Sequence, residues 1–177
     1  MEKKIVVTVE GLSPLLMHAY PLVEMKAFDK LSKEEQAEHA AYRVPETKEL
    51  YIPAIAMQRA LVSGASFSKG KGRSTLQKQV AAGVLIEPQY LLLGAKEYKI
   101  HSMPVVIPAT KGRTMRHRPI FEKWKVDFTI TYDPELLTAT QMRSIVDDTG
   151  RRTGILDFRP ERKGPYGRFQ VTSWNAE

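Results

Sequence analysis

Positive side chains interleaved with glycine are the feature of this sequence most suggestive of chemistry. The stretch GILDFRPERKGPYGRF, residues 154–169, carries Arg159, Arg162, Lys163 and Arg168 among Gly154, Gly164 and Gly167. Glycine permits positive φ and close backbone approach, while the basic groups supply charge, a combination suited to an anionic polymer. Asp157 and Glu161 dilute that charge without cancelling it, and Arg151 and Arg152 precede it. Tyr166 and Phe158 offer ring faces to bases, or equally anchors to a core.

Two further segments repeat the pattern. Residues 69–78 hold four basic and no acidic side chains, among them Lys69, Lys71 and Arg73, and residues 111–118 have the same balance with Lys111, Arg113, Arg116 and Arg118. In the second, His117 adds a titratable ring and Met115 is the lone apolar side chain. An exposed arm of this kind can track phosphates and wedge Met115 against a base, whereas a plain solvated face is the alternative. Residues 24–49, by contrast, carry five basic and seven acidic groups, net −2. The net charge of +7 is therefore concentrated in a few loops, which points to a polyanionic partner.

Other chemistries find little support. With no cysteine, disulfides, thiol nucleophiles and cysteine-ligated zinc are excluded. His18, His39, His101 and His117 show no metal-binding spacing, and GASFSKGKGRST departs from a phosphate-binding P-loop because Lys71 is followed by glycine. No metal or cofactor is expected. His18, in GLSPLLMHAY, is the one candidate catalytic residue. A loop histidine beside RNA can serve as general base toward a ribose 2′-hydroxyl, though a polar residue ending an apolar turn looks the same.

The elements that must position these residues follow from hydrophobic periodicity. Ile5, Val7 and Val9 alternate as one face of a first strand. Ser32 and Glu35 form a capping box for a short exposed helix. A helix starting at or after Pro53 places Met57, Ala60, Leu61, Gly64 and Ala65 on one face and Gln58, Arg59 and Ser63 outward. The basic residues from 69 onward read as a mobile loop. GVLIEPQYLLLG and IHSMPVVIP read as irregular strands, and FEKWKVDFTITY as one strand with Phe121, Trp124, Val126, Phe128 and Ile130 inward, allowing a slip near Trp124. Thr138 and Gln141 cap a second helix that Gly150 should end, and Phe169 with Val171 marks the last strand.

This order predicts an α+β fold: a ferredoxin-like, RRM-like βαββαβ core in a single domain spanning 1–177. An insertion at 12–49 follows the first strand, and a basic hairpin at 95–119 lies between the middle strands. The opening MEKKIVVTVEGL breaks its apolar run at Thr8 and Glu10, so neither signal peptide nor membrane span is expected and the protein reads as cytoplasmic.

Three segments in order, GLSPLLMH, YIPAIAMQRAL and GILDFRPERKGPYGRFQV, resemble the RAMP superfamily of CRISPR-associated proteins, particularly the backbone subunits that coat guide RNA. The resemblance implies an RNA-facing first helix, a glycine-rich loop before the last strand, a strand-kinking thumb at 95–119 and head-to-tail oligomers. Where the family often has a lysine on the helix face, this chain has Gln58 followed by Arg59, and GLSPLLMHAY lacks the aspartate of target-cleaving relatives. The expected function is noncatalytic binding of single-stranded RNA, or DNA, by a repeating subunit of a homo-oligomer or multi-subunit ribonucleoprotein. Two alternatives stay open: a metal-independent endoribonuclease using His18, and a basic scaffold for an acidic protein.

Overall fold

A computed structural model describes residues 1–177. Strand β1 (Lys3–Gly11) lies inside a four-stranded sheet with β8 (Lys125–Tyr132) on one side and β9 (Phe169–Ala176) on the other; β4 (Val84–Glu87) completes the order β4-β8-β1-β9. Every pairing is antiparallel. The register sets Ile5 opposite Ile130, Val7 opposite Phe128 and Val9 opposite Val126, so one face presents six apolar side chains, all buried. Strand alternation sends Lys4, Val6, Thr8, Glu10, Asp127 and Thr129 to the other face, which these central strands leave without an aromatic ring.

Helices α3 (Ala54–Gly64) and α5 (Ala139–Asp148) contribute Met57 and Leu61, and Met142, Ile145 and Val146, to the same buried cluster as the inward sheet residues. Both capping boxes form: Thr138 with Gln141 at the start of α5, and Ser32 with Glu35 at the start of α2 (Lys33–His39). The architecture is mixed helix and strand with antiparallel sheets.

Two smaller sheets carry the functional segments. Strand β7 (Arg113–Phe121) pairs with β6 (Lys99–Val106) as a long hairpin and at its far end with the two-residue β2 (Leu15–Leu16). The expected arm is thus a hairpin whose second strand runs two residues beyond 119. Strand β3 (Tyr51–Pro53) pairs with β5 (Tyr90–Leu92). Helix α2 packs against β7, and the short helix α1 (Met25–Phe28) sets Phe28 under the Arg116 guanidinium, so the insertion covers one face of the hairpin.

The structure departs from sequence expectation at four places. The strand expected from Phe121 to Tyr132 is broken: Phe121 ends β7, and the chain turns so that the Trp124 indole donates to the Ser13 carbonyl at 2.9 Å while the Gly11 N–H donates to the Trp124 carbonyl. Residues 69–75 form a tight hairpin, with Lys69 paired to Thr75 and Gly70 N–H bonded to the Ser74 carbonyl. Helix α4 (Gln77–Gly83), unforeseen in sequence, follows and buries Val80. Gly150 does not stop α5, which continues as a wide π turn over Thr149–Thr153 to Gly154 at φ 69°. Gly150 instead lies so close to β9 that a Cβ there would overlap the Phe169 carbonyl.

Candidate nucleic-acid interface

Three segments far apart in sequence line one open cleft of about 320 Å³: His18; Pro53, Ile55, Ala56, Arg59 and Ala60; and Ile155, Leu156, Asp157 and Arg159, with Tyr42 beside them. Local hydrogen bonding accounts for each placement. The Met17 N–H donates to the Pro119 carbonyl at 3.0 Å and the Ala19 N–H to the Ala40 carbonyl at 2.8 Å, which fixes His18 between hairpin and insertion. Pro53 caps α3, so Ile55 and Arg59, one turn apart, both face the cleft. Across from them, the Asp157 N–H donates to the Leu16 carbonyl at 3.0 Å and the Ile155 N–H to the Gly167 carbonyl at 3.0 Å, tying the glycine-rich loop to β2 and to itself.

Asp157 is the electrostatic centre. It is ion-paired to Arg118 and lies 3.6 Å from His18 Nδ1. Burial pushes its carboxyl upward, but the His18 contact, the charges of Arg118 and His18 and the Phe158 N–H together hold it below its ordinary value. The Tyr42 hydroxyl is pushed up, first by burial and then by the Asp157 charge. His101, whose Nε2 lies 3.1 Å from the Tyr166 hydroxyl, is pushed down by burial and then by Arg118.

The loop backbone is unusual as well. Leu156 and Phe158 take φ of 62° and 45°, a region that non-glycine residues seldom occupy. Gly167, at φ 74°, sits where a Cβ would overlap the Ile155 carbonyl, and a Cβ at Gly164 would overlap the Phe158 carbonyl. The backbone these two glycines admit is the loop's own, and Gly154 serves as the left-handed exit from the π turn. Their observed use is to fold the loop, which is a different one from the close approach to a ligand that the sequence suggested.

The basic candidates divide into two groups. Arg118 is 4% exposed and turned inward onto Asp157, which corrects its reading as an exposed phosphate contact. Arg116 is paired at 2.6 Å with Asp29, and Arg159 at 2.9 Å with Glu161 while its Nη1 donates to the Leu156 carbonyl. His117 Nδ1 lies 2.7 Å from the Ser102 hydroxyl, and the Arg168 guanidinium donates to the Arg151 carbonyl. Tyr166 meets Phe158 and His101 edge to face or tilted, anchoring the loop to the hairpin. By contrast Arg59, Lys69, Lys71, Arg73, Lys111, Arg113, Arg162 and Lys163 are all exposed, and none has a carboxylate partner within salt-bridge distance.

The hairpin separates these roles by alternation. Arg116 and Arg118 lie on the face toward the insertion and the loop, whereas Arg113, Met115 and His117 share the opposite face with their cross-strand partners Val106, Pro104 and Ser102. Met115 and Val106 are 46% and 58% exposed there, so an apolar ridge with basic neighbours is open to a ligand. The sequence reading missed Tyr42 and Ile55 as cleft residues and took Asp157 only as a diluting charge. An acid placed among arginines was the available signal. Compared with protein-family models and with curated proteins, the sequence matches none.

Proposed function

We propose that this protein is a noncatalytic subunit that binds single-stranded nucleic acid, RNA foremost, and coats it as a repeating cytoplasmic component of an oligomer or ribonucleoprotein. The observation that carries the reading is the set of unpaired cations. Eight exposed Arg and Lys side chains at the cleft, the 69–75 hairpin, the β6–β7 arm and the glycine-rich loop have no acidic partner, an arrangement fitted to phosphates. The element order β1, α3, β4, β8, α5, β9 with sheet order β4-β8-β1-β9 supports a ferredoxin-like core, and the meeting of the three RAMP-like segments at one cleft supports a divergent RAMP subunit. Because the central strands expose no aromatic ring on the open sheet face, the reading assigns recognition to the loops and arm, with Met115 as wedge.

Four to six phosphate contacts per subunit give a log–log salt slope of about −3 to −4 on a single strand. Fluorescence anisotropy of a labelled 20-nucleotide oligo(U) across a salt series measures it, and an affinity independent of salt refutes the reading. The joint variant Lys69→Gln, Lys71→Gln, Arg73→Gln should make the slope shallower by about 2.

A second reading is favoured by one contact, the 3.6 Å approach of Asp157 to His18 Nδ1. A carboxylate that orients histidine leaves Nε2 as a general base beside Arg59, the arrangement of a metal-independent endoribonuclease. Cleavage of a structured RNA that survives EDTA and vanishes in His18→Ala would support it; an intact RNA counts against it.

A further inference from the structure

Exposed side chains stand at both ends of α3 and its extension, with Val62 and Ser63 half-buried between them. Ile55 and Arg59 stand one turn apart, and the helix passes through one 3₁₀ turn, Ala65–Phe67, that ends on an aromatic ring. Ile55 is 61% and Phe67 47% exposed. At 1.5 Å per helical residue and about 2 Å per 3₁₀ residue, Ile55 and Phe67 are roughly 20 Å apart along the axis, the length of several bases stacked at about 3.4 Å.

The Phe67 end is a built arrangement. The Arg152 guanidinium lies over the Phe67 ring at 4.9 Å and is steadied at 3.4 Å by Asp148, one turn back. Gly64 lies so close to Thr149 that a Cβ there would overlap its hydroxyl, which holds the π turn against α3. The Arg168 side chain reaches the Arg151 carbonyl of the same π turn, and Lys69 and Lys71 come two and four positions after Phe67. An isolated exposed phenylalanine needs no explanation. One stacked under a guanidinium and followed by unpaired cations has the composition of a stacking platform for single strands, aromatic faces for bases and cations for phosphates.

We propose that Phe67 is a base-stacking position for a single-stranded nucleic acid that runs from the cleft along α3, with Arg152 holding the ring and contacting the adjoining phosphate. The assignment rests on the binding reading above and adds a site to it. Stacking is tolerant of sequence, so the position should accept any base.

The test uses the full chain and labelled 20-mers of oligo(U) and oligo(dT). Phe67→Ala should weaken binding roughly tenfold with an unchanged salt slope, since it removes stacking and no charge. Arg152→Gln should weaken binding and make the slope shallower by about 0.7. Phe67→Trp should keep the affinity and lose part of its emission on binding, relative to wild type as the control for Trp124 and Trp174; this variant carries the test if the alanine variant melts early. Wild type that binds neither oligonucleotide overturns the binding reading and this site with it. Wild type that binds while Phe67→Ala matches it within twofold, with Phe67→Trp emission unmoved, overturns the site alone. Quenching of Phe67→Trp by poly-glutamate and by neither oligonucleotide also overturns it, in favour of an acidic protein.

Discussion

Replacing Asp157 by asparagine tests how the candidate cleft is held together. Arg118 keeps only 5% of its side chain exposed, and its Nε and Nη2 find no protein acceptor, so Asp157 is the sole carboxylate compensating a buried charge. Orphaning a fully buried ion costs about 3–5 kcal/mol. Asp157 itself is 30% exposed, and asparagine keeps one carbonyl to accept a hydrogen bond, so the low end, roughly 3 kcal/mol, is expected. For a chain of this size that lowers Tm by about 6–12 °C. The cost also carries a pH signature. The folded-state carboxyl lies below its ordinary value, so its contribution is fully present above the unfolded pKa and is lost as pH falls through the folded one. Urea unfolding followed by circular dichroism at pH 7, and in steps below pH 4, should show the gap between wild type and Asp157→Asn closing as the acid range is entered. Equal stability at pH 7, or a gap that persists unchanged in acid, refutes the assignment of Asp157 as the counter-charge of Arg118.

Gly167→Ala should cost at least 1–3 kcal/mol, because the site combines positive φ with overlap on the Ile155 carbonyl; thermal melting measures it, and a neutral result removes the tight loop closure from the account. Thr138→Ala removes the hydroxyl that accepts from the Gln141 N–H at 3.2 Å and should lower stability by about 1 kcal/mol, read by urea unfolding.

What the sequence disclosed, it disclosed through periodicity and caps. Ile5, Val7 and Val9, the Met57–Leu61 face of α3 and both capping boxes are local patterns, and local patterns survive folding when they agree with the core. Helix α4 was hidden because QKQVAAG buries Val80 alone and carries no capping signal at Leu76. The break at Trp124 was legible only as a slip because Phe121 and Trp124 are both buried, which mimics one continuous strand; the bonds of Trp124 to Ser13 and Gly11 mark the turn. Charge was the least legible property. Arg113 and Arg118 look alike in the sequence, but the hairpin turns one outward and buries the other against an acid 39 positions away.

The pairing of β1 has a kinetic consequence. This strand bonds on one side to β8 and on the other to β9, with Ile5 opposite Ala176, 171 positions later. Such long-range pairing requires large loops to close before any contact offsets their entropy, which slows folding. On a ribosome the edges of β1 stay unpaired until β8 and then β9 have been made. The cleft inherits the delay, since Asp157 and Arg159 come between α5 and β9. The cleft is therefore complete only once the segment after α5 has folded back onto β2.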